Sequence, residues 1–433
     1  MRMRGGKPIL LLLVLLLALP WQAAAAEKIR IGFIYDLTGP FAAAGAVPAK
    51  IGTELIVEMV NAKGGVLGKY PIEAIFADAQ SKADVAINEA ERLLNAEKVD
   101  ILAGVYSSAH AVPLAGRVDA QKKFFWITVA ISSAVFKNRN LRYVFRPQVH
   151  SDQFGLLSTQ FLAEFVKPKL GIDPKDLRVA IIHEDGPYGT GVATSNEEGA
   201  KEYGMQVVLK EGYSATAPDL SSLVIKLKRA RPDVILHTGY NPDITLFLRQ
   251  AKELGLRFRV LIGHGAGYGQ IDRLIETFGN DVDYIFNVDP VAAQLLDPKT
   301  LAPGLGDLIQ EMVQRYRERT GAKEVPPHTS MGFNNTWILL EHVLPLAIQK
   351  YGGWDAEALR QAALDLDIPV GGTLQGYGVK FAPPGHPMAG QNLRAFPVVM
   401  QYVGGKTFIA YPTEIRTIDP VLPLPPSSPF AMR

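Results

Sequence analysis

The sequence of 433 residues contains no cysteine. Disulfide bonds, thiolate metal sites and a lipid anchor on an amino-terminal cysteine are therefore excluded. Long hydrophobic runs are also missing, because the apolar run Ile9–Leu19 has only eleven residues and a membrane-spanning helix needs roughly 20. Blocks of basic residues are absent too, since 45 Lys and Arg are spread among 43 Asp and Glu. This balance argues against nucleic acid as a partner.

The first 26 residues have the three-part pattern of a secretory signal peptide. Arg2, Arg4 and Lys7 precede the apolar run, and Pro20 leads to the small residues Ala23–Ala26. We expect cleavage at the end of this alanine stretch. Removing the leader takes three of the 45 basic residues and leaves 42. The mature protein is therefore expected to be periplasmic and not inserted in a membrane.

Strand and helix patterns alternate along the chain in two separate runs. The first run begins with Ile29–Tyr35 and the second with Leu177–Ile182, and the break lies near Arg146–Asp152. Alternation of this kind predicts parallel sheets with helical crossovers. The sequence therefore predicts an α/β protein with two lobes and a cleft between them. The Pro-rich tail from Pro420 is expected either to extend over the surface or to wrap around a lobe.

Small hydroxylated residues follow two neighbouring strands of the first run. Ser107 and Ser108 follow the apolar segment Val99–Val105, and Ala130–Ser133 follows Phe124–Val129. Ligands of open parallel sheets bind beyond the carboxyl ends of the strands, where the amino termini of helices also point. The two segments therefore predict a site for a small anionic group. The alternative is that the two serines only cap the helix that follows.

Histidines and tyrosines follow the strands of the second run. The three histidines at strand ends could bind zinc together with Glu184 or Asp185. They are His183, His237 and His264. The alternative is that these histidines form hydrogen bonds in the cleft. Tyr188 and Tyr240 lie in equivalent loops, and we expect them to contact a ligand rather than to pack on the surface.

Seven segments carry a family resemblance in chain order, namely IGFIYDLTGPFAAAG, NAKGGVLGK, DILAGVYSSAHAVP, ITVAISS, EDGPYGTG, GYNPDITLFLRQAKELGL and FPVVMQYVGGKTFIAYP. Together they resemble the periplasmic leucine/isoleucine/valine-binding proteins, the type I solute-binding components of ABC importers. The resemblance spans essentially the whole mature chain. It implies two Rossmann-like lobes joined by three crossover segments. Lobe I would be 27–147 plus 290–375, lobe II 148–289 plus 376–433, and the crossovers would lie near 146–150, 286–291 and 375–380.

The resemblance also implies a ligand site built from both lobes. The family's grip on the α-carboxylate and α-ammonium groups falls on Ser108, Ala130 and Ser132. The neighbouring wall and the two second-lobe tyrosines fall on Tyr106, Ser107, Tyr188 and Tyr240. Two positions depart from the family. Ala44 replaces an aromatic pocket residue, and Gly265, beside His264, replaces the glutamate that pairs with the ligand ammonium.

The missing glutamate favours a carboxylate ligand without an α-ammonium group, because an unpaired buried charge is very costly. We expect an aromatic or hydroxy acid first and a small amide next. If Asp185 or Asp243 replaces the glutamate, a branched-chain or other hydrophobic amino acid is the alternative.

The resemblance implies a monomeric binding protein, not an enzyme, that needs no cofactor and delivers its ligand to inner-membrane permease subunits. Two other functions stay open. The first is a ligand-sensing domain of the same fold. The second is an exported hydrolase using Ser107 or Ser108, although neither serine lies in a G-x-S-x-G motif.

Overall fold

The computed structural model describes residues 27–432. These residues form two β-sheets. In these residues the strands are β1 (Ile29–Tyr35), β2 (Ile72–Asp78), β3 (Ile101–Gly104), β4 (Phe124–Ile127), β5 (Val144–Phe145), β6 (Arg178–Glu184), β7 (Gln206–Tyr213), β8 (Val234–Thr238), β9 (Val260–His264), β10 (Phe286–Asp289), β11 (Val398–Val403) and β12 (Lys406–Tyr411). The sheet orders are β2-β1-β3-β4-β5 and β12-β11-β10-β9-β8-β6-β7. Strand pairing is parallel except for β10–β11 and β11–β12. The signal-peptide prediction concerns residues 1–26, outside the described residues.

Helices flank both sheets. They are α1 (Val47–Ala62), α2 (Ala83–Glu91), α3 (Ser108–Ala120), α4 (Ser151–Leu170), α5 (Pro187–Glu202), α6 (Ser221–Ala230), α7 (Asn241–Glu253), α8 (Ile271–Phe278), α9 (Leu305–Thr320), α10 (Pro327–Ile338), α11 (Leu344–Tyr351) and α12 (Ala356–Asp365). Among these helices of residues 27–432, none is long and apolar enough to cross a bilayer. The predicted α/β fold of two lobes with three crossovers is confirmed.

The structure contains two helices that the sequence pattern does not predict, α4 and α8. Helix α4 begins where the alternation of strands and helices breaks. Its start is marked by a reciprocal pair of hydrogen bonds between His150 and Gln153. The sequence also predicts a helix over Asn335–Lys350, but α10 already begins at Pro327. All twelve residues of α10 are buried, so this helix has no polar face for a periodicity to show.

The chain passes between the two sheets three times. The predicted lobe limits stay a prediction, but one set of contacts favours a later third crossing. The Phe381 ring lies 5.6 Å from that of Trp126 and 5.2 Å from that of Phe145, both in the first sheet. Residue 381 therefore packs with the first lobe, and the third crossing is better placed after Asn392, which pairs with Phe381.

The Pro-rich tail wraps around the second lobe. This is the second of the two arrangements expected from the sequence. Phe430 stacks on Phe258 with ring centroids 5.4 Å apart, and the Phe258 amide donates to the carbonyl of Phe430. Leu424 is buried and its amide donates to the carbonyl of Arg259. The tail thus closes the hydrophobic core behind β9.

Candidate ligand-binding site

A small cavity of about 30 Å³ lies where the carboxyl ends of strands from both sheets meet. This volume is enough for roughly two water molecules, so a larger ligand requires the two lobes to lie farther apart than they do here. Five of the predicted site residues line it: Tyr106, Ser108, Tyr188, Tyr240 and Gly265. Six residues that the sequence analysis did not select also line it: Val129, Ile131, Phe154, Asp289, His328 and Met331. The cavity therefore lies beyond the carboxyl ends of the strands, which is where ligands of open parallel sheets bind.

The two serines after β3 have different roles. Ser107 caps α3, because its Oγ accepts a hydrogen bond from the Ala109 amide at 3.2 Å. Ser108 is the first residue of α3, lines the cavity and is almost fully buried. Its Oγ accepts a hydrogen bond from the Ser132 amide at 3.1 Å. Ser107 therefore caps the helix, while Ser108 faces the cavity, and a direct ligand contact from Ser107 remains a prediction.

Ala130 and Ser132 lie beside the cavity without lining it. Successive side chains of an extended segment point to opposite sides, and here the neighbours Val129 and Ile131 face inward. The Ala130 amide donates to the carbonyl of Val105 at 3.0 Å. The Ser132 hydroxyl accepts from the Ala134 amide at 3.3 Å. Direct ligand contacts from Ala130 and Ser132 remain a prediction.

A buried arginine lies directly behind this segment. Nη1 of Arg146 donates to the carbonyls of Ala130 and Ser132, both at 2.9 Å, and Nε donates to Gln391 Oε1 at 2.7 Å. Its Nη2 has no hydrogen-bond partner among residues 27–432. Burial lowers the pKa of Arg146 to about 9, so the guanidinium keeps its charge at neutral pH. Together with the amino terminus of α3, it makes the site attractive to an anion.

Aromatic rings from both lobes meet at the cavity. Phe41, which precedes α1, lies with its ring centroid 4.3 Å from that of Tyr240, which precedes α7. The Tyr240 ring is also 5.5 Å from Tyr188 and 6.1 Å from Tyr106. Burial raises the pKa of all three tyrosines well above the usual range. The three tyrosines therefore give the cavity a neutral, mostly apolar wall, and Phe41 packs against Tyr240.

The strand-end histidines are hydrogen-bonded to other side chains and to the backbone. His237 bonds to the hydroxyls of Tyr213 and Tyr268, at 2.6 and 2.7 Å. His264 bonds to the hydroxyls of Ser158 and Thr238, both at 2.9 Å. Burial lowers the pKa of His264 to about 3, and its side chain does not line the cavity. Residues 27–432 contain no group of three His, Asp or Glu side chains placed to hold a metal.

A carboxyl group does lie beside Gly265. A Cβ atom added to Gly265 would be 3.4 Å from Asp289 Oδ1 and 3.3 Å from the Tyr188 hydroxyl. Position 265 itself is glycine, as the sequence shows, but an acid from another strand lies next to it. The alternatives considered from sequence are not in the cavity, since Asp185 is exposed and Asp243 bonds to the Tyr213 hydroxyl and the Tyr240 amide. Asp289 ends strand β10, so the strand-end rule that selected Ser108 would also have found it.

Comparisons with known proteins agree with this architecture. The model of a family described as "Periplasmic binding protein" matches residues 28–399. A curated relative, Leu/Ile/Val-binding protein homolog 7 of Brucella suis, is 35% identical over 391 residues, which are 90% of this chain and 93% of the relative.

Two solved structures share the fold. The branched-chain amino acid transporter substrate-binding protein LivJ of Streptococcus pneumoniae, in complex with isoleucine, is 18% identical with a TM-score of 0.71, covering 88% of this chain and 98% of that one. The fatty acid ABC transporter substrate-binding protein of Thermomonospora curvata is 19% identical with a TM-score of 0.73, covering 90% and 94%.

Proposed function

Because the chain belongs to the periplasmic binding protein family, we propose that it is the solute-binding component of an ABC importer. It takes up a small carboxylate-bearing molecule between its lobes and delivers it to permease subunits in the inner membrane. The signal-peptide pattern of residues 1–26 supports a periplasmic location, and the protein acts as a monomer.

The observation that carries the proposal is the concentration of anion-attracting groups on one side of the cavity. Ser108 brings a hydroxyl and the amino terminus of a 13-residue helix to the cavity. Arg146 supplies a buried charge behind it, bonded to the carbonyls of the neighbouring segment. A carboxylate bound there gains charge-assisted hydrogen bonds, which are stronger than neutral ones.

The rest of the cavity favours an apolar body on the ligand. Phe154 and Met331 line it together with the tyrosines. The names of the similar proteins support the same class, because leucine, isoleucine, valine and a fatty acid all combine a carboxylate with an apolar chain. These names include ligands with and without an amino group, so the shared fold is compatible with both kinds of ligand.

A thermal-shift screen tests the ligand class. Protein refolded to remove carried-over ligand is mixed with amino acids, with aromatic and aliphatic acids, and with neutral sugars. We expect at least one carboxylate to raise the melting temperature, since a ligand at 100 times its Kd adds about 2.7 kcal/mol of stability. Stabilisation by sugars alone would contradict the proposal.

We also expect the ligand to close the cleft by rotation at the three crossings. The cavity is lined by Ser108 from the first lobe and by Tyr188 and Tyr240 from the second. A ligand that bridges them stabilises the closed state through the contacts it makes only there. Small-angle X-ray scattering should therefore show a smaller radius of gyration with the best stabiliser from the screen. A compound that gives no thermal shift is the control, and an equal radius with both would refute closure.

A further inference from the structure

A second and much larger cavity, here called the side chamber, lies next to the small cavity of the candidate site. Its volume is about 580 Å³, against about 30 Å³ for the small cavity. Pro48 of α1 and Pro327 of α10 line it from the first lobe, and Ile271 of α8 and Thr407 of β12 line it from the second. Pockets for small molecules have volumes of about 300–1,000 Å³. The side chamber therefore has the room that the small cavity lacks.

The buried part of the side-chamber wall is mostly apolar. Ile271, Tyr316 and Val325 line the chamber and are buried. The charged residues of the wall are only half-buried or are exposed, and they are Asp272, Arg273, Glu276 and Glu324. The charges therefore lie toward the mouth of the chamber. Such a wall suits an apolar chain whose far end reaches the solvent.

A pair of side chains separates the side chamber from the small cavity. Gln270 lines the side chamber, and His328 lines the small cavity. Nε2 of Gln270 donates a hydrogen bond to Nδ1 of His328 at 3.2 Å, and both residues are buried. Burial lowers the pKa of His328 to about 4, so the imidazole is neutral near pH 7. The partition is therefore held by a neutral hydrogen bond, which is about half as strong as a charge-assisted one.

This hydrogen bond connects the two lobes. Gln270 follows β9 of the second sheet, whereas His328 belongs to α10, which packs against α1 in the first lobe. Moving the lobes apart therefore breaks the bond and joins the two cavities. Gly45 leaves space beside the imidazole, because a Cβ atom there would lie 3.0 Å from Cδ2 of His328. The ring can thus turn aside for a chain that passes it.

We propose that the two cavities form one extended site, in which the ligand carboxylate lies at Ser108 and an apolar chain passes between Gln270 and His328 into the side chamber. The inference rests on the proposed function and names the substrate class of that site, which is carboxylates with a long apolar chain. The small cavity holds the carboxylate end and the side chamber holds the chain. The length of the chain is therefore what the site selects.

Two straight-chain acids of different length test the inference by isothermal titration calorimetry. Butanoate and octanoate are titrated into the mature protein after it has been refolded to remove carried-over ligand. Butanoate is also measured by competition against octanoate. We expect octanoate to bind on the order of 100-fold more tightly, because each methylene group that leaves water contributes roughly fourfold.

Tryptophan substitutions that fill the side chamber show where the chain lies. Ala322→Trp acts from the first lobe and Thr407→Trp from the second, and both positions line the chamber and are half-buried. Each should weaken octanoate about tenfold more than butanoate. Ala302→Trp is the matched control, because Ala302 is exposed and lines neither cavity. Ser108→Ala should weaken both acids, since both place their carboxylate at this residue.

Equal affinity of the wild type for the two acids would overturn the inference and leave the proposed function standing. Full octanoate affinity in a folded tryptophan variant would overturn it too, and if one variant fails to fold, the other decides. Octanoate binding that Ser108→Ala leaves intact would show that the chain is not a continuation of the small cavity. If neither acid binds while the thermal-shift screen finds another carboxylate, only the inference fails. If the screen finds no carboxylate at all, the proposed function fails as well.

Discussion

Replacing Ser108 with alanine should weaken carboxylate binding about 10–150-fold, because a hydrogen bond to a charged group is worth about 1.5–3 kcal/mol. Ser108 lies at the amino terminus of α3 and lines the cavity, so its hydroxyl is placed to donate to a ligand carboxylate. Calorimetry with the best stabiliser from the screen measures the loss. The Ser132 amide also loses its acceptor, and we expect stability to fall by about 1–3 kcal/mol.

Ser132→Ala is the matched comparison for this experiment. The family resemblance places Ser132 in the same grip, whereas its hydroxyl accepts a hydrogen bond from the Ala134 amide and does not line the cavity. We therefore expect a smaller loss of affinity than for Ser108→Ala. An equal loss in both variants would mean that the segment turns inward when ligand binds. Wild-type affinity in Ser108→Ala would place the carboxylate elsewhere.

Replacing Gly332 with alanine should destabilise the protein by about 3 kcal/mol or more, the upper part of the range for overpacked cores. A Cβ atom on Gly332 would lie 2.0 Å from the carbonyl oxygen of Ala49, and one on Gly52 would lie 2.1 Å from that of Thr329. Helices α1 and α10 therefore cross with their backbones in contact. The opposing atoms are backbone on both sides, so no side chain can rotate away to make room.

Gly353→Ala is the control, because a Cβ atom there would meet nothing within 4 Å. Urea unfolding of the three proteins gives the comparison, with a lower midpoint for Gly332→Ala and almost no change for Gly353→Ala. Since α10 carries His328 and Met331 to the cavity, Gly332→Ala should also weaken ligand binding. A stable Gly332→Ala protein would show that the two helices separate easily.

Local sequence patterns were sufficient for most of the architecture. The apolar run Ile29–Tyr35 forms β1 with the predicted bounds, because a strand buried on both faces is apolar at nearly every position. The part of α10 from Pro327 to Asn334 could not be predicted in this way. Its polar residues are buried and bonded to distant segments, as when the Ser330 hydroxyl accepts from the Ala293 amide at 3.0 Å. Such partners lie far apart in sequence, so no local pattern reveals them.

By itself, the sequence determined the family, the two-lobed α/β fold and the position of the candidate site, because these depend on local periodicity and on which residues follow each strand. Only the tertiary structure decided which side chains face the cavity. It turned Val129 and Ile131 inward in place of Ala130 and Ser132, since packing sets the side of an extended segment that is buried. It also placed Asp289 beside Gly265, because β9 and β10 are paired in one sheet although these residues are far apart along the chain.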